Sequence, residues 1–288
     1  LGLTALHQTT DWWSQRLVTG YDITSGALGT PRSYLYANRA AQRGSNRDRA
    51  SRAALRYSST VTASLGEGSE LATTTGVEVS RLTRNRGTWQ TMPASGSSSS
   101  STSASSNLAI SSYDDQMRNV GTFLQSKLAS GPLTLNAGMR AERSSSFGDD
   151  RGAAWSPSFG AAWTQPIGSW ALRLRSGWGR GIRAPEPGMS RGLASGTYEQ
   201  LANPDLAPES QAGIEFGADL YTGPGAYLRA TYFDQRASDL IQSVMIPDHS
   251  GVITGFQYQN VGAIRNRGFE LEAGARHRRL SLDAQFYA

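Results

Sequence analysis

Residues whose types could carry chemistry are few in this sequence, and they are widely spaced. Cysteine is absent, which excludes thiolate metal sites, disulfides and cysteine nucleophiles. The histidines His7, His249 and His277 form no HExxH or similar ligand spacing. Asp248, His249 and Ser250 are consecutive, too local an arrangement for a catalytic triad, and the sequence has neither a GxSxG elbow nor a P-loop. We therefore predict that the protein is not an enzyme.

Two pairs of neighbouring acidic residues could bind a hard cation. They are Asp114 with Asp115 and Asp149 with Asp150. Carboxylate oxygens suit Ca²⁺, but acidic pairs in loops are more often simply solvated. We therefore assign no metal site and no cofactor to the sequence.

The chain is basic, with a formal net charge of +5 and an isoelectric point near 9.7. Such a charge could favour nucleic acid as a partner. However, the arginines are scattered along the chain, and no basic helix or aromatic RNP-type motif accompanies them. Nucleic acid is therefore not a predicted partner.

The dominant pattern along the chain is an alternation of apolar and polar residues. In residues 211–221 the apolar positions are Ala212, Ile214, Phe216, Ala218 and Leu220. A period of two indicates a β-strand with one apolar and one polar face. The same pattern recurs in 170–178, 227–232, 269–276 and 280–286, and more weakly in the first half of the chain. No stretch approaches the roughly 18 consecutive apolar residues of a transmembrane helix.

These signals predict roughly twelve strands. Their connections alternate between short turns and mostly long loops, the longest of which are predicted at 23–50, 83–112, 183–208 and 242–255. A transmembrane barrel sorts its connections in this way, with short periplasmic turns on one rim and long extracellular loops on the other. The alternative is a soluble β-sandwich, whose apolar face would be its core.

The charged residues decide which face would contact lipid. Arg173, Arg175, Glu215, Glu270 and Glu272 all lie on the polar faces of predicted strands. An arginine on the lipid face at the middle of the bilayer costs about 2 to 4 kcal/mol. We therefore expect the charged face to line a wet or protein-filled lumen and the aliphatic and aromatic face to contact lipid.

Four stretches of the second half resemble the barrel of TonB-dependent receptors, in the order and spacing of that family. They are 156–163, 172–185, 203–209 and 260–270. The matching positions include Arg183, Pro185, Asn203, Pro204, Asp205, Pro208, Glu209, Asn260, Gly262, Gly268 and Glu270. Ala207 stands where the family usually has lysine. Prolines and glycines in these motifs end or bend strands, so the motifs identify the barrel without identifying its ligand.

The resemblance implies a fold and a function. The fold would be an all-β, antiparallel, up-and-down transmembrane barrel, with residues 1–288 forming part of one barrel domain, since about 22 strands are expected for such plugged transporters. No plug domain and no terminal strands of the family are recognisable, so we interpret the chain as a fragment. The implied function is active import of a scarce nutrient, such as an iron-siderophore or cobalamin, across the outer membrane of a Gram-negative bacterium. The implied partners are the TonB-ExbB-ExbD complex through the plug, the nutrient, and outer-membrane lipid with lipopolysaccharide.

Aromatic residues and arginines in the predicted loops could bind the ligand. They are Tyr34, Tyr36, Trp89, Arg183, Arg191, Tyr198, Phe256 and Tyr258. Their types would suit an anionic iron chelate or a sugar-like ligand, although residues of these types in loops are more often simply solvated. Two other functions stay open at this point: a passive porin, and a barrel that acts in adhesion or export.

Overall fold

The computed structural model describes residues 1–30, 44–93, 106–147, 152–195, 198–222, 225–247 and 249–288. Fourteen strands are present in this part of the chain. They are β1 (Gly2–Thr10), β2 (Trp13–Thr30), β3 (Gly44–Ser64), β4 (Ser69–Pro93), β5 (Ser106–Ser130), β6 (Leu133–Ser144), β7 (Ala154–Ile167), β8 (Trp170–Arg183), β9 (Leu193–Ser195), β10 (Tyr198–Leu201), β11 (Glu209–Thr222), β12 (Ala226–Pro247), β13 (Ile253–His277) and β14 (Leu280–Tyr287). Within the described ranges, no helix is long and apolar enough to cross a membrane.

Twelve of these strands form a single antiparallel meander, as the alternation predicts. Each of β1 to β7 pairs with the next strand, β8 pairs with β11, and β11 to β14 continue the same order. The short strands β9 and β10 belong to the connection between β8 and β11, and β10 pairs in parallel with residues 255–257 of β13. The predicted fold class is therefore confirmed.

The connections alternate in length as predicted, but three of the long loops are shorter than expected. Strands β2 to β5, β12 and β13 extend well into the regions that the sequence assigns to loops, and β4, β5 and β13 each have 25 residues. About 9 to 11 residues suffice to cross a bilayer. Polar residues obscure the alternation where both faces of a strand are wet, so sequence patterns end before the strands do.

The two faces of the sheet differ sharply in chemistry. Large apolar side chains on one face, including Phe159, Phe216 and Phe269, are more than half exposed. In the described part of the chain only Phe147 and Leu206 are buried apolar residues of a core. A soluble sandwich would instead bury its apolar face. The sandwich alternative is therefore wrong, and the broad exposed apolar surface is typical of a face that contacts lipid.

Candidate functional site

The connection between β8 and β11 lies over the charged face of the sheet. In the order of strands, β5, β6 and β7 separate β4 from β8. Nevertheless, Glu186 of this connection is 3.6 Å from Arg84 of β4, and Pro185 is fully buried. We call the charged face the inner face and the apolar face the outer face. Residues 184–192 therefore cross the inner face from one wall towards another.

Two ion pairs hold this crossing segment. Arg191 Nη1 lies 3.1 Å from Oδ1 of Asp115 on β5, and Glu186 contacts Arg84 as described. The Asp115 side chain is only 8% exposed, whereas that of Arg191 is 58% exposed. Gly188 allows the close approach, because a Cβ atom there would lie 2.7 Å from Asp115 Oδ2 and its φ is +90°. The segment is thus fixed at both ends of its inward turn.

Arg84 also belongs to a cluster on the neighbouring strands. Its guanidinium donates to Asp48 of β3 at 2.7 Å, and Arg86 donates to the same carboxylate at 3.0 Å. The Arg86 guanidinium lies 5.9 Å from the ring centroid of Tyr113. Hydrogen bonding from Arg84 is the main reason that the pKa of Asp48 falls from 3.8 to about 2. Asp48 is therefore ionised at all physiological pH values.

A cavity of about 480 Å³ lies beside this cluster. Its walls combine Asp48 and Arg84 with Pro185, Glu186 and Pro187 of the crossing segment. Pockets of this size can hold a small molecule, and the mixed polar and apolar lining could orient one. Within the described residues, Arg86 Nε is buried and has no hydrogen-bond partner, and Arg86 lies outside the lining of this cavity.

The motif residues converge on the same connection, although the sequence places them far apart. Glu209 is buried, and its carboxylate accepts from Arg183 at 2.6 Å and from the backbone N–H of Ile241 at 2.8 Å. These bonds join the end of β8, the start of β11 and the middle of β12. Arg183 and Glu209 therefore close the base of the connection.

Two asparagines complete this closure. The Asn260 side chain accepts from the backbone N–H of Ala207 at 2.8 Å and donates to its carbonyl at 3.0 Å. It also donates at 2.7 Å to the carbonyl of Asp239, which has a left-handed φ of 58°. Asn203 donates to the carbonyl of Tyr258 at 2.7 Å. Leu206 between them is fully buried. The motifs therefore lock the returning part of the connection onto β12 and β13.

The structure places the predicted ligand-binding residues at several different locations. Phe256 and Tyr258 lie on β13 with ring centroids 5.6 Å apart, and Tyr198 lies on β10, whose Gln200 is paired with Phe256. The Gln200 side chain donates to the carbonyl of Arg191 at 2.7 Å. Arg191 and Tyr198 thus lie in the connection between β8 and β11, and β10 of that connection pairs with the part of β13 that carries Phe256.

The remaining predicted residues do not join that group in the same way. Arg183 is paired with Glu209, as described. Trp89 lies on β4 and is exposed on the outer face, opposite Ile110. Tyr34 and Tyr36 lie outside the described residues. A prediction based on loop position alone could not separate inner from outer positions, because this depends on strand register.

A second charged site lines the inner face nearer the short turns. Arg175 bonds Glu215, the carboxylate of Asp219 at 3.4 Å and the hydroxyl of Thr231 at 2.5 Å. Asp219 is only 4% exposed. A cavity of about 570 Å³ lies over this network. The alternation predicts that these residues share a face, but the pairing of specific residues comes from strand register.

The acidic pairs do not form cation sites in the described part of the chain. Asp114 and Asp115 are consecutive in β5, so their side chains point to opposite faces. Asp149 and Asp150 lie outside the described residues. Among the described residues, no group of three or more metal-ligating side chains is present.

Comparisons with known proteins agree with this architecture. A family model described as "TonB dependent receptor-like, beta-barrel" matches residues 1–288. No curated protein matches the sequence.

Solved structures share the fold at low sequence identity. The RagAB peptide transporter has 17% identity and a TM-score of 0.75, covering 99% of this chain and 35% of that one. The copper transporter OprC has 17% identity and a TM-score of 0.66, covering 99% and 45%. The hemophore receptor HasR of Serratia marcescens, solved with its hemophore HasA and heme, has 15% identity and a TM-score of 0.64, covering 97% and 49%. The chain thus spans between about a third and a half of these proteins.

Proposed function

The chain belongs to the TonB dependent receptor-like β-barrel family, and from this membership we propose that it forms part of an outer-membrane receptor that imports a scarce nutrient. The nutrient would be captured from the long-loop side and released towards the short-turn side. Energy would come from the TonB-ExbB-ExbD complex acting through a plug domain. No covalent chemistry is needed for such a cycle.

The observation that carries this proposal is the family match over residues 1–288, because an inward-crossing loop alone could also constrict a passive porin. The inward crossing of residues 184–192 adds support, since a receptor must hold its ligand between loops and wall. The crossing segment supplies such a wall, because it bounds a cavity together with Asp48 and Arg84. The two ion pairs, Glu186 with Arg84 and Arg191 with Asp115, also hold the segment in a defined position, so the ligand would meet a preorganised surface.

The chemistry of the site favours a ligand with several polar groups and some apolar surface. Asp48, Arg84 and Glu186 offer charged groups to the cavity, and Leu82, Met117 and Pro187 offer apolar contact. Iron chelates and cobalamin both fit this description. The related structures named above transport or bind peptide, copper and heme, so the same fold serves ligands of very different chemistry.

Uptake by cells tests the proposal. Cells producing the full-length protein should accumulate a labelled ferric chelate or labelled cobalamin, and the accumulation should disappear in a strain that lacks TonB. Replacing Arg84 with Gln should weaken binding of that ligand, whereas Arg49→Gln, on the outer face of β3, should not. Uptake that persists without TonB would contradict active import and would instead indicate a passive porin.

A further inference from the structure

A Pro-Glu-Pro sequence at the start of the crossing segment presents a carboxylate to the cavity beside Arg84. Glu186 lies between Pro185, which is fully buried, and Pro187. A proline fixes its own φ and restricts the residue before it to extended geometry. Both neighbours therefore fix the backbone at Glu186, whereas its side chain is 63% exposed and can rotate into solvent. The carboxylate can thus leave its position without any movement of the chain.

The guanidinium group that faces this carboxylate is only partly satisfied. Arg84 uses Nε and Nη2 to donate to Asp48, at 3.0 and 2.7 Å. Its third nitrogen, Nη1, lies 3.6 Å from Oε2 of Glu186, which is close enough for an ion pair and too long for a hydrogen bond. Among the described residues, Nη1 has no hydrogen-bond acceptor. Arg84, which lines the cavity, therefore keeps an unused donor group beside Glu186.

The charges of the cluster explain why a carboxylate is attracted to this position. The guanidinium groups of Arg84 and Arg86 share the single carboxylate of Asp48. The neighbouring carboxylate of Asp115 is paired with Arg191. Three arginines thus face two carboxylates of the wall, and one positive charge is left over. The carboxylate of the crossing segment supplies the negative charge that balances it.

The contact between Glu186 and Arg84 is weak enough for a ligand to replace it. Solvent screens an ion pair between exposed side chains, and holding two long side chains in one geometry costs entropy. A carboxylate or phosphate group of a ligand that reached Nη1 would instead accept a charge-assisted hydrogen bond, which is about twice as strong as a neutral one. A ligand anion would therefore gain more at Arg84 than the internal carboxylate loses there.

The remainder of the crossing segment is held independently of Glu186. Gln200 donates to the carbonyls of Gly188 and Arg191, at 2.8 and 2.7 Å. The ion pair of Arg191 with Asp115 adds a contact on β5. The wall that bounds the cavity therefore stays in place when the carboxylate of Glu186 turns away.

We propose that Glu186 is an internal competitor for Arg84, and that an anionic group of the nutrient, a carboxylate or a phosphate, displaces it from Nη1. The displaced side chain rotates into solvent while the backbone stays fixed. In the empty site the internal carboxylate keeps the cluster neutral and opposes the binding of weak, small anions. The inference rests on the proposed role of the cavity as the ligand site, and it adds the charge that the ligand must carry.

Binding of ferric citrate and of inorganic phosphate to the purified full-length protein tests the proposal. Both probes are anions, and their affinities are measured by calorimetric titration at low ionic strength. Glu186→Gln removes the competitor and should strengthen binding of both anions by about two- to fivefold, the range expected for one exposed ion pair. The matched control is Glu199→Gln, which removes an exposed carboxylate from β10 of the same connection and should leave both affinities unchanged.

A double-mutant cycle assigns the gain to Arg84. In Arg84→Gln both anions should bind more weakly, and adding Glu186→Gln should bring no recovery, because the donor for which the two anions compete is absent. The same gain with and without Arg84 would overturn the proposal, since the effect would then come from net charge alone. Unchanged or weaker binding in Glu186→Gln, or no binding of either anion to any variant at millimolar concentration, would also overturn it. Uptake that persists without TonB would refute active import and leave these affinities as they are, so the two proposals fail separately.

Discussion

The ion pair between Arg191 and Asp115 gives the sharpest test of the inward crossing. Replacing Arg191 with Gln leaves the Asp115 carboxylate, which is only 8% exposed, without its cationic partner. An unsatisfied buried polar group costs about 1 to 3 kcal/mol. The docked position of residues 184–192 should therefore become less favourable by a factor of about five to a hundred. Asp115→Asn should have a smaller effect, below about 1 kcal/mol, because the freed Arg191 is largely solvated.

Hydrogen exchange of the crossing segment measures this change. The amide of Met189 donates to Glu186, that of Arg191 to Gly188, and that of Asn203 to Ser190. If the segment opens locally, their exchange rates rise by the same factor as the opening equilibrium. Arg49→Gln, an exposed outer-face change, provides the control. Unchanged exchange in Arg191→Gln would show that the segment is not held by the ion pair, and would remove the main support for a preorganised ligand wall.

Three further predictions concern the faces, the pH dependence and the motifs. Leu174→Arg should prevent barrel assembly, because an arginine on the outer face costs about 2 to 4 kcal/mol in lipid, whereas Arg173→Leu on the inner face should assemble. Equal amounts of folded barrel for both variants in a gel-shift assay would contradict this assignment of the faces. Because the pKa of Asp48 is lowered in the folded state from 3.8 to about 2, the ionised carboxylate stabilises the protein fully above about pH 4, and this stabilisation is lost as the pH falls through 2. At pH 6 the protein should be more stable than Asp48→Asn by about 1 kcal/mol after allowance for solvent screening, and the difference between their thermal unfolding temperatures should vanish near pH 2. Asn260→Ala removes three hydrogen bonds to backbone groups and should speed amide hydrogen exchange at Ala207 by at least about fivefold. Gln259→Ala loses only a bond to Gln257 and should leave that rate unchanged, and equal rates in the two variants would show that Asn260 does not hold the connection on β12 and β13.

The sequence by itself determined the class of fold and the chemistry of the two faces. Alternation in segments such as 211–221 depends only on the period of an extended strand, so Glu215 and Phe216 could be assigned to opposite faces before any pairing was known. Short turns and long loops alternate along the chain, and this alternation can also be seen from the order of the segments in the sequence. These properties are local, and local patterns can be read from a single sequence.

The tertiary structure alone decided which distant residues meet. Glu209 and Ile241, Arg191 and Asp115, and Arg81 and Arg118 are brought together by register and by the path of one connection, and none of these pairs has a sequence signal. The ends of the long strands were also missed, because residues above the bilayer are wet on both faces and lose the alternation. A shift of one residue in register would exchange the faces of a strand. The ligand-facing and lipid-facing roles of arginines in this protein therefore depend on pairings that only the assembled sheet provides.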